Sequence, residues 1–153
     1  LTSPSVGEAI LAAVGRLETD GNIRLSCLTL MPDHLHALFT LAGSLTIGQV
    51  VGKLKALAGR SRGTRGVVWQ RDFFEHRLRP EDSVAGFARY IFMNPYRAGL
   101  CGGGDEWPWW RVNQDECQGL MVELEEGRFP PEAWFEFDTQ RLGVQPRQVG
   151  EES

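Results

Sequence analysis

Three residues, Met31-Pro32-Asp33, divide the apolar run from Ile23 to Leu41 into two lengths that each suit a β-strand. Pro32 has no N–H to give to a sheet ladder, so neither run passes through it. Ile23 to Leu30 alternates and reads as one strand, and His34 to Leu41 reads as the next. A helix precedes the pair over Ser5 to Arg16, with Ile10, Leu11, Val14 and Leu17 at helical spacing and Ser3 or Ser5 as its cap. Asp20-Gly21-Asn22 is the intervening turn. A second helix runs from a cap at Ser44 or Thr46 to about Leu57, burying Ile47, Val50, Val51, Leu54 and Leu57. Beyond the loop 59–66, Val67 to Trp69 and Phe73 to Leu78 read as short strands. Pro80, followed by Glu81 and Asp82, reads as the start of a third helix, which Gly99 and Gly102-Gly103-Gly104 end. The order helix, strand, strand, helix, strand, helix predicts an α+β fold with helices packed on an antiparallel sheet.

Two of these elements carry residues suited to phosphodiester chemistry. On a strand, positions two apart share a face, so His34 and His36 are able to grip one ion while Leu35 packs inward. On a helix, positions four apart lie one above the other, so Tyr90 and Asn94 share a face. A cation held by imidazoles and a carboxamide polarises a phosphate, and a phenol can attack it. Such mixed nitrogen and oxygen donors suit Mg²⁺ or Mn²⁺, with imidazole favouring the latter. Each residue also has a plainer use: a hydrogen-bonded strand histidine, a turn-forming Asn94 ahead of Pro95, or a core tyrosine with its hydroxyl at the surface. Tyr96 competes with Tyr90 as nucleophile, but it lies on a different helix face from Asn94.

Three segments together resemble a known family, the single-tyrosine HUH transposases of the insertion-sequence type, and most closely their REP-associated tyrosine transposase relatives. Met31-Pro32-Asp33-His34-Leu35-His36 is similar to the family's Met-Pro-Asn-His-Val-His. Val68 to Arg79 resembles its Trp-Gln-containing strand segment, and Tyr90 to Leu100 its Tyr-Ile-x-x-Asn-Pro-x-Arg-Ala-Gly-Leu helix end. The resemblance covers roughly residues 7 to 110. It implies a ferredoxin-like or RRM-like sheet bearing both histidines, metal ligation by His34, His36 and Asn94, and Tyr90 as nucleophile. It implies single-stranded DNA as substrate, hairpin-bearing or palindromic, cleaved through a 5′-phosphotyrosine. Glu75, His76 and Arg97 fall in matching runs and are expected to support the site, with Glu75 standing where the family has Asp. Family members usually begin with a strand ahead of the first helix, whereas this chain enters that helix almost at once. Insertion-sequence relatives act as homodimers that exchange the tyrosine helix, while REP-associated ones can act alone.

The net charge of −4 speaks against a nucleic-acid partner until its distribution is followed. Residues 53–79 sum to +6 and residues 101–153 to −8. Lys53, Lys55, Arg60, Arg62, Arg65, Arg71 and Arg79 are therefore candidate DNA contacts between the two site motifs, as Arg77 is, although a charge run is also the ordinary make-up of a solvated face. Residues 1–110 read as the catalytic domain, and residues 111–153 as an acidic, aromatic extension whose end past about 143 is disordered. Trp107 to Trp110 are expected to cover core, and Leu120 to Leu124 and Ala133 to Phe137 to form short helices. Three cysteines without Cys-x-x-Cys spacing, no bilayer-length apolar run and no signal-like start predict a cytoplasmic, nucleoid-associated protein. Two rivals stay open: a DNA-binding regulator on the same scaffold, and a metal-dependent hydrolase of small phosphoesters.

Overall fold

The computed structural model describes residues 1–136. Helix α1 (Pro4–Thr19) leads into strand β1 (Ile23–Leu30), which pairs antiparallel with β2 (Leu35–Leu41). Helices α2 (Ile47–Gly59) and α3 (Val84–Arg97) follow, then a short strand β3 (Trp110–Val112) and helix α4 (Gln118–Glu123). The sheet order is β2-β1-β3, antiparallel throughout, so the expected α+β architecture is the one observed.

A bulge sets which side chains face which layer. The β1–β2 register shifts between Leu25 and Cys27, leaving Ser26 as the extra residue. That insertion lets Leu25 and Leu28, three apart, point to the same side, where strict alternation would separate them. Ile23, Leu25, Leu28 and Leu30 join Ile10, Val14, Leu17 and Val50 in a core beneath α1 and α2. On the opposite face Cys27 packs with Ile91, Phe92 and Met93 of α3 and with Leu120 of α4. The sheet is thus a middle layer. Strand β2 alternates to match: Leu35, Ala37 and Phe39 pack on the α1/α2 core, and Leu38 packs on the α3 core.

Local chemistry explains the helix ends. Thr46 and Gln49 form a reciprocal capping box at α2, so Thr46 rather than Ser44 is the cap. Helix α3 starts at Ser83, whose hydroxyl accepts from the Gly86 N–H at 3.0 Å, and not at Pro80, which sits in a preceding turn. At its other end Gly99 takes a left-handed φ of 69°. The Leu100 N–H reaches the Pro95 carbonyl and the Gly99 N–H reaches that of Tyr96, the paired bonds of a Schellman close.

Three expectations are corrected. Val67 to Trp69 and Phe73 to Leu78 form no strand, because a strand needs a neighbouring backbone and this segment is tied elsewhere. Lys55 donates to the Gln70 carbonyl, and the His76 ring stacks on Phe87 of α3. The third strand is instead Trp110–Val112. Third, His34 lies in the four-residue loop between Leu30 and Leu35, with the Met31 N–H bonded to its carbonyl, and not on β2 itself. The boundary expected after residue 110 falls inside β3, and Trp134, in a single 3-10 turn over Glu132–Glu136, packs on Phe92 of α3. The expected disorder past 143 lies outside the described residues.

The tryptophans cover core as anticipated. Trp107 donates its indole N–H to the Leu30 carbonyl at 3.0 Å, and Trp109 lies against α1 so tightly that a Cβ on Gly7 would sit 2.3 Å from its ring. Gly7→Ala should therefore lower stability by about 1–3 kcal/mol through overpacking. Gly15, with nothing within 4 Å of its Cβ position, is the contrast. Gly15→Ala should raise stability by roughly 0.5–1 kcal/mol through helix propensity. Thermal unfolding of the two variants should shift the midpoint in opposite directions.

Candidate active site

The one-residue alternation of β2 that packs the half-buried Leu35 and Ala37 under α1 and α2 turns His36 to the other side, towards α3. There the imidazole meets Tyr90 edge to face, ring centroids 5.9 Å apart at 83°. His34 reaches the same place from the loop, and its Nε2 stands 3.0 Å from Nε2 of His36. The other nitrogen of His34, Nδ1, lies 2.6 Å from Oδ1 of Asp33. A proton on Nδ1 given to that carboxylate leaves Nε2 as a lone pair facing its neighbour. Asp33 therefore sits behind the ring, and His34 holds its carboxyl below the usual range.

The donor spacing can be tested against an ion. Two ligands at about 2.1 Å in adjacent octahedral positions are separated by about 3.0 Å, the distance between these nitrogens. Burial, and then the charge of His34, pull the His36 pKa down to about 4, which keeps its ring neutral, the form a metal ligand needs, at neutral pH. Among the described residues no cluster of three His, Cys, Asp or Glu side chains is able to hold a metal. Asn94 is a carboxamide one turn beyond Tyr90 on α3. Its amide nitrogen donates to the Tyr90 carbonyl at 2.8 Å, which orients the carboxamide and leaves Oδ1 as the acceptor.

The depressed His36 pKa has a consequence for folding. An unfolded histidine takes its proton near 6.5, whereas His36 in the fold resists until about 4. Between those values the unfolded chain binds more protons, so stability falls as pH drops from about 6.5 towards 4 and is indifferent to this group below that. His36→Gln should remove this part of the pH dependence, read from unfolding midpoints at pH 4.5 and 7.

Tyr90 is 9 % exposed, and burial holds its phenol above the ordinary value, opposed by the nearby Arg97 charge. Arg97, seven residues on along the same helix, places its guanidinium carbon 5.5 Å from the Tyr90 ring centre. The rival phenol of Tyr96 donates to the Asp105 carbonyl at 2.8 Å and is pushed up to about 12, chiefly by burial, on the core side of the helix. It is engaged in holding the fold.

His34, His36, Tyr90 and Arg97 are thus brought together, with Asn94 tied to the backbone of Tyr90. Glu75 is exposed, and His76 stacks on Phe87 at 5.3 Å, one turn before Tyr90. Lys53 bonds Asp20 and Asn22 at 2.8 and 2.7 Å, fastening α2 to the turn after α1. Arg60, Arg62, Arg65, Arg71 and Arg79 are exposed. One neighbour escaped the sequence reading. Thr29 pairs across the ladder with His36, and its fully buried hydroxyl has no hydrogen-bond partner among the described residues. Its signal lay in the pairing of the two strands, which the sequence order alone does not register.

No family model matches the chain, and no solved structure matches it. A REP-associated tyrosine transposase of Escherichia coli (strain K12) is 24 % identical over 109 residues, 71 % of this chain. The chain is a distant relative of that transposase. It covers 66 % of the transposase's length, just under two thirds. The relationship agrees with the resemblance carried by the histidine loop and the tyrosine helix. No helix among the described residues is long and apolar enough to cross a membrane.

Proposed function

We propose that this chain cleaves and rejoins single-stranded DNA through a tyrosine-linked intermediate, as part of DNA transposition or the mobilisation of palindromic elements. The observation that carries the reading is the meeting of Tyr90 with a histidine pair whose nitrogens face each other at 3.0 Å. The transposase relative supports a DNA-processing role.

In this reading the Tyr90 oxygen attacks the scissile phosphorus and gives up its proton. The bond from phosphorus to the 3′-oxygen breaks, that oxygen leaves as a 3′-hydroxyl, and the 5′-phosphate stays on Tyr90. A second 3′-hydroxyl then attacks the phosphotyrosine, and the phenol is released with its proton restored. His34, His36 and Asn94 would hold a divalent cation, Mg²⁺ or Mn²⁺, which supplies charge stabilisation to the phosphate and eases ionisation of the phenol. That help is needed, because a phenol is protonated at neutral pH and burial pushes its pKa higher still. Arg97 adds positive charge on the Tyr90 side. A hairpin-bearing strand and pairing into a homodimer extend the proposal from the family resemblance.

The test is incubation with end-labelled single strands and Mn²⁺ on a denaturing gel, where a slow-migrating protein-linked band is expected. The same burial of Tyr90 favours a second reading, a DNA-binding regulator without turnover. Retarded bands on a native gel, with no cut strand on the denaturing gel for any substrate, would identify the regulator.

A further inference from the structure

The segment between α2 and α3 carries unpaired aromatic surface among free positive charge. Phe74 is 75 % exposed and Phe73 41 %, side by side. A single exposed apolar residue means little, but an adjacent pair of phenylalanines projecting from an irregular segment is costly unless something covers it. The segment does not hang loose. Lys55 pins it at the Gln70 carbonyl, His76 stacks on Phe87 at 5.3 Å and 20°, and the Arg79 N–H bonds Asp82 at 2.7 Å. Between and beside those pins, the guanidinium groups of Arg71, Arg77 and Arg79 are exposed and enter no ion pair or hydrogen bond with a described residue.

We infer that Phe73 and Phe74 form a stacking platform for the unpaired bases of a single strand whose phosphates lie along Arg71, Arg77 and Arg79. Charge supports this occupant: residues 53–79 sum to +6 in a chain whose net charge is −4, and within 71–79 three arginines outnumber Asp72 and Glu75, so a polyanion is drawn to this stretch. The combination of cationic track and exposed rings is what sequence-tolerant single-strand binding uses, since every base offers a π-face. Position supports it too. Phe87, on which His76 rests, lies three residues before Tyr90, about 4.5 Å along the helix axis. The His76 end of the segment is therefore anchored about one helical turn from the phenol. The inference rests on the single-strand reading above and names the surface that would deliver the strand.

Binding is measured by fluorescence anisotropy in the Tyr90→Phe background, so that the readout needs no cleavage and survives a failed cleavage assay. The probes are a labelled dodecathymidylate and an abasic oligomer of equal length. The parent should bind the base-bearing strand more tightly, and Phe73→Ala/Phe74→Ala should weaken it about tenfold towards the abasic value. Phe74→Trp should retain the preference, and Arg71→Gln/Arg77→Gln should weaken both probes alike with a shallower salt dependence. Circular dichroism confirms that each variant is folded. Equal binding of both probes by the parent, or undiminished binding by the double alanine variant, overturns the inference. So does light scattering that shows the alanine variant losing a dimer while its DNA affinity is unchanged, which would assign the patch to self-association.

Discussion

Tyr90→Phe is expected to yield no protein-linked DNA on a denaturing gel, with strand cleavage reduced on the order of a thousandfold or more. The substitution removes one oxygen and leaves the ring that packs against His36, so the fold and strand binding should be retained. Tyr96→Phe is the matched control. It deletes the hydrogen bond to the Asp105 carbonyl and should cost about 1 kcal/mol of stability while the DNA adduct still forms. An adduct of parental yield in Tyr90→Phe, lost instead in Tyr96→Phe, would move the chemistry to the other face of α3.

His36→Ala should weaken Mn²⁺ binding by at least about a hundredfold, and His34→Ala comparably, since each withdraws one of two facing nitrogens. Asp33→Asn should do less, because it leaves both nitrogens and alters only the partner on Nδ1 of His34. Titration calorimetry with Mn²⁺ alone checks this without DNA or turnover. Parental affinity in His36→Ala would detach the histidine pair from metal binding. Chelation of the wild-type protein should abolish cleavage while leaving strand binding in place, because the cationic track does not depend on the ion.

The strands around Met31-Pro32-Asp33 were legible because a turn and a proline break cut the apolar run into strand lengths, and α2 because its apolar residues recur at helical spacing after a Ser44 or Thr46 cap. The bulge at Ser26 was not, since an extra residue in a strand has no compositional mark. Val67 to Leu78 misled for a related reason: β-branched and aromatic residues report fitness for a sheet, and whether a neighbouring backbone is present is a tertiary matter. Trp110–Val112 was hidden among aromatics that read as core cover, which Trp109 and Trp110 also are. In the site, spacing places Tyr90 and Asn94 one turn apart on one helix, where Asn94 bonds the Tyr90 carbonyl. The convergence of His34 from a loop depended on its carbonyl bond to Met31, which no periodicity encodes. Within the basic stretch, Lys53 carries the same formal charge as the arginines but is occupied by Asp20 and Asn22.

Pro95 lies inside α3 and has no amide proton to offer the carbonyl of Ile91. The ladder of the helix therefore lacks a rung beside Asn94, between the turn that carries Tyr90 and the turn that carries Arg97. Deuterium uptake should register this as two populations of protection, slow for the amides around Tyr90 and faster past Asn94. The guanidinium would then swing on a looser hinge than the phenol it accompanies, so that under the proposed chemistry the cation adjusts to a phosphate while the phenol stays put.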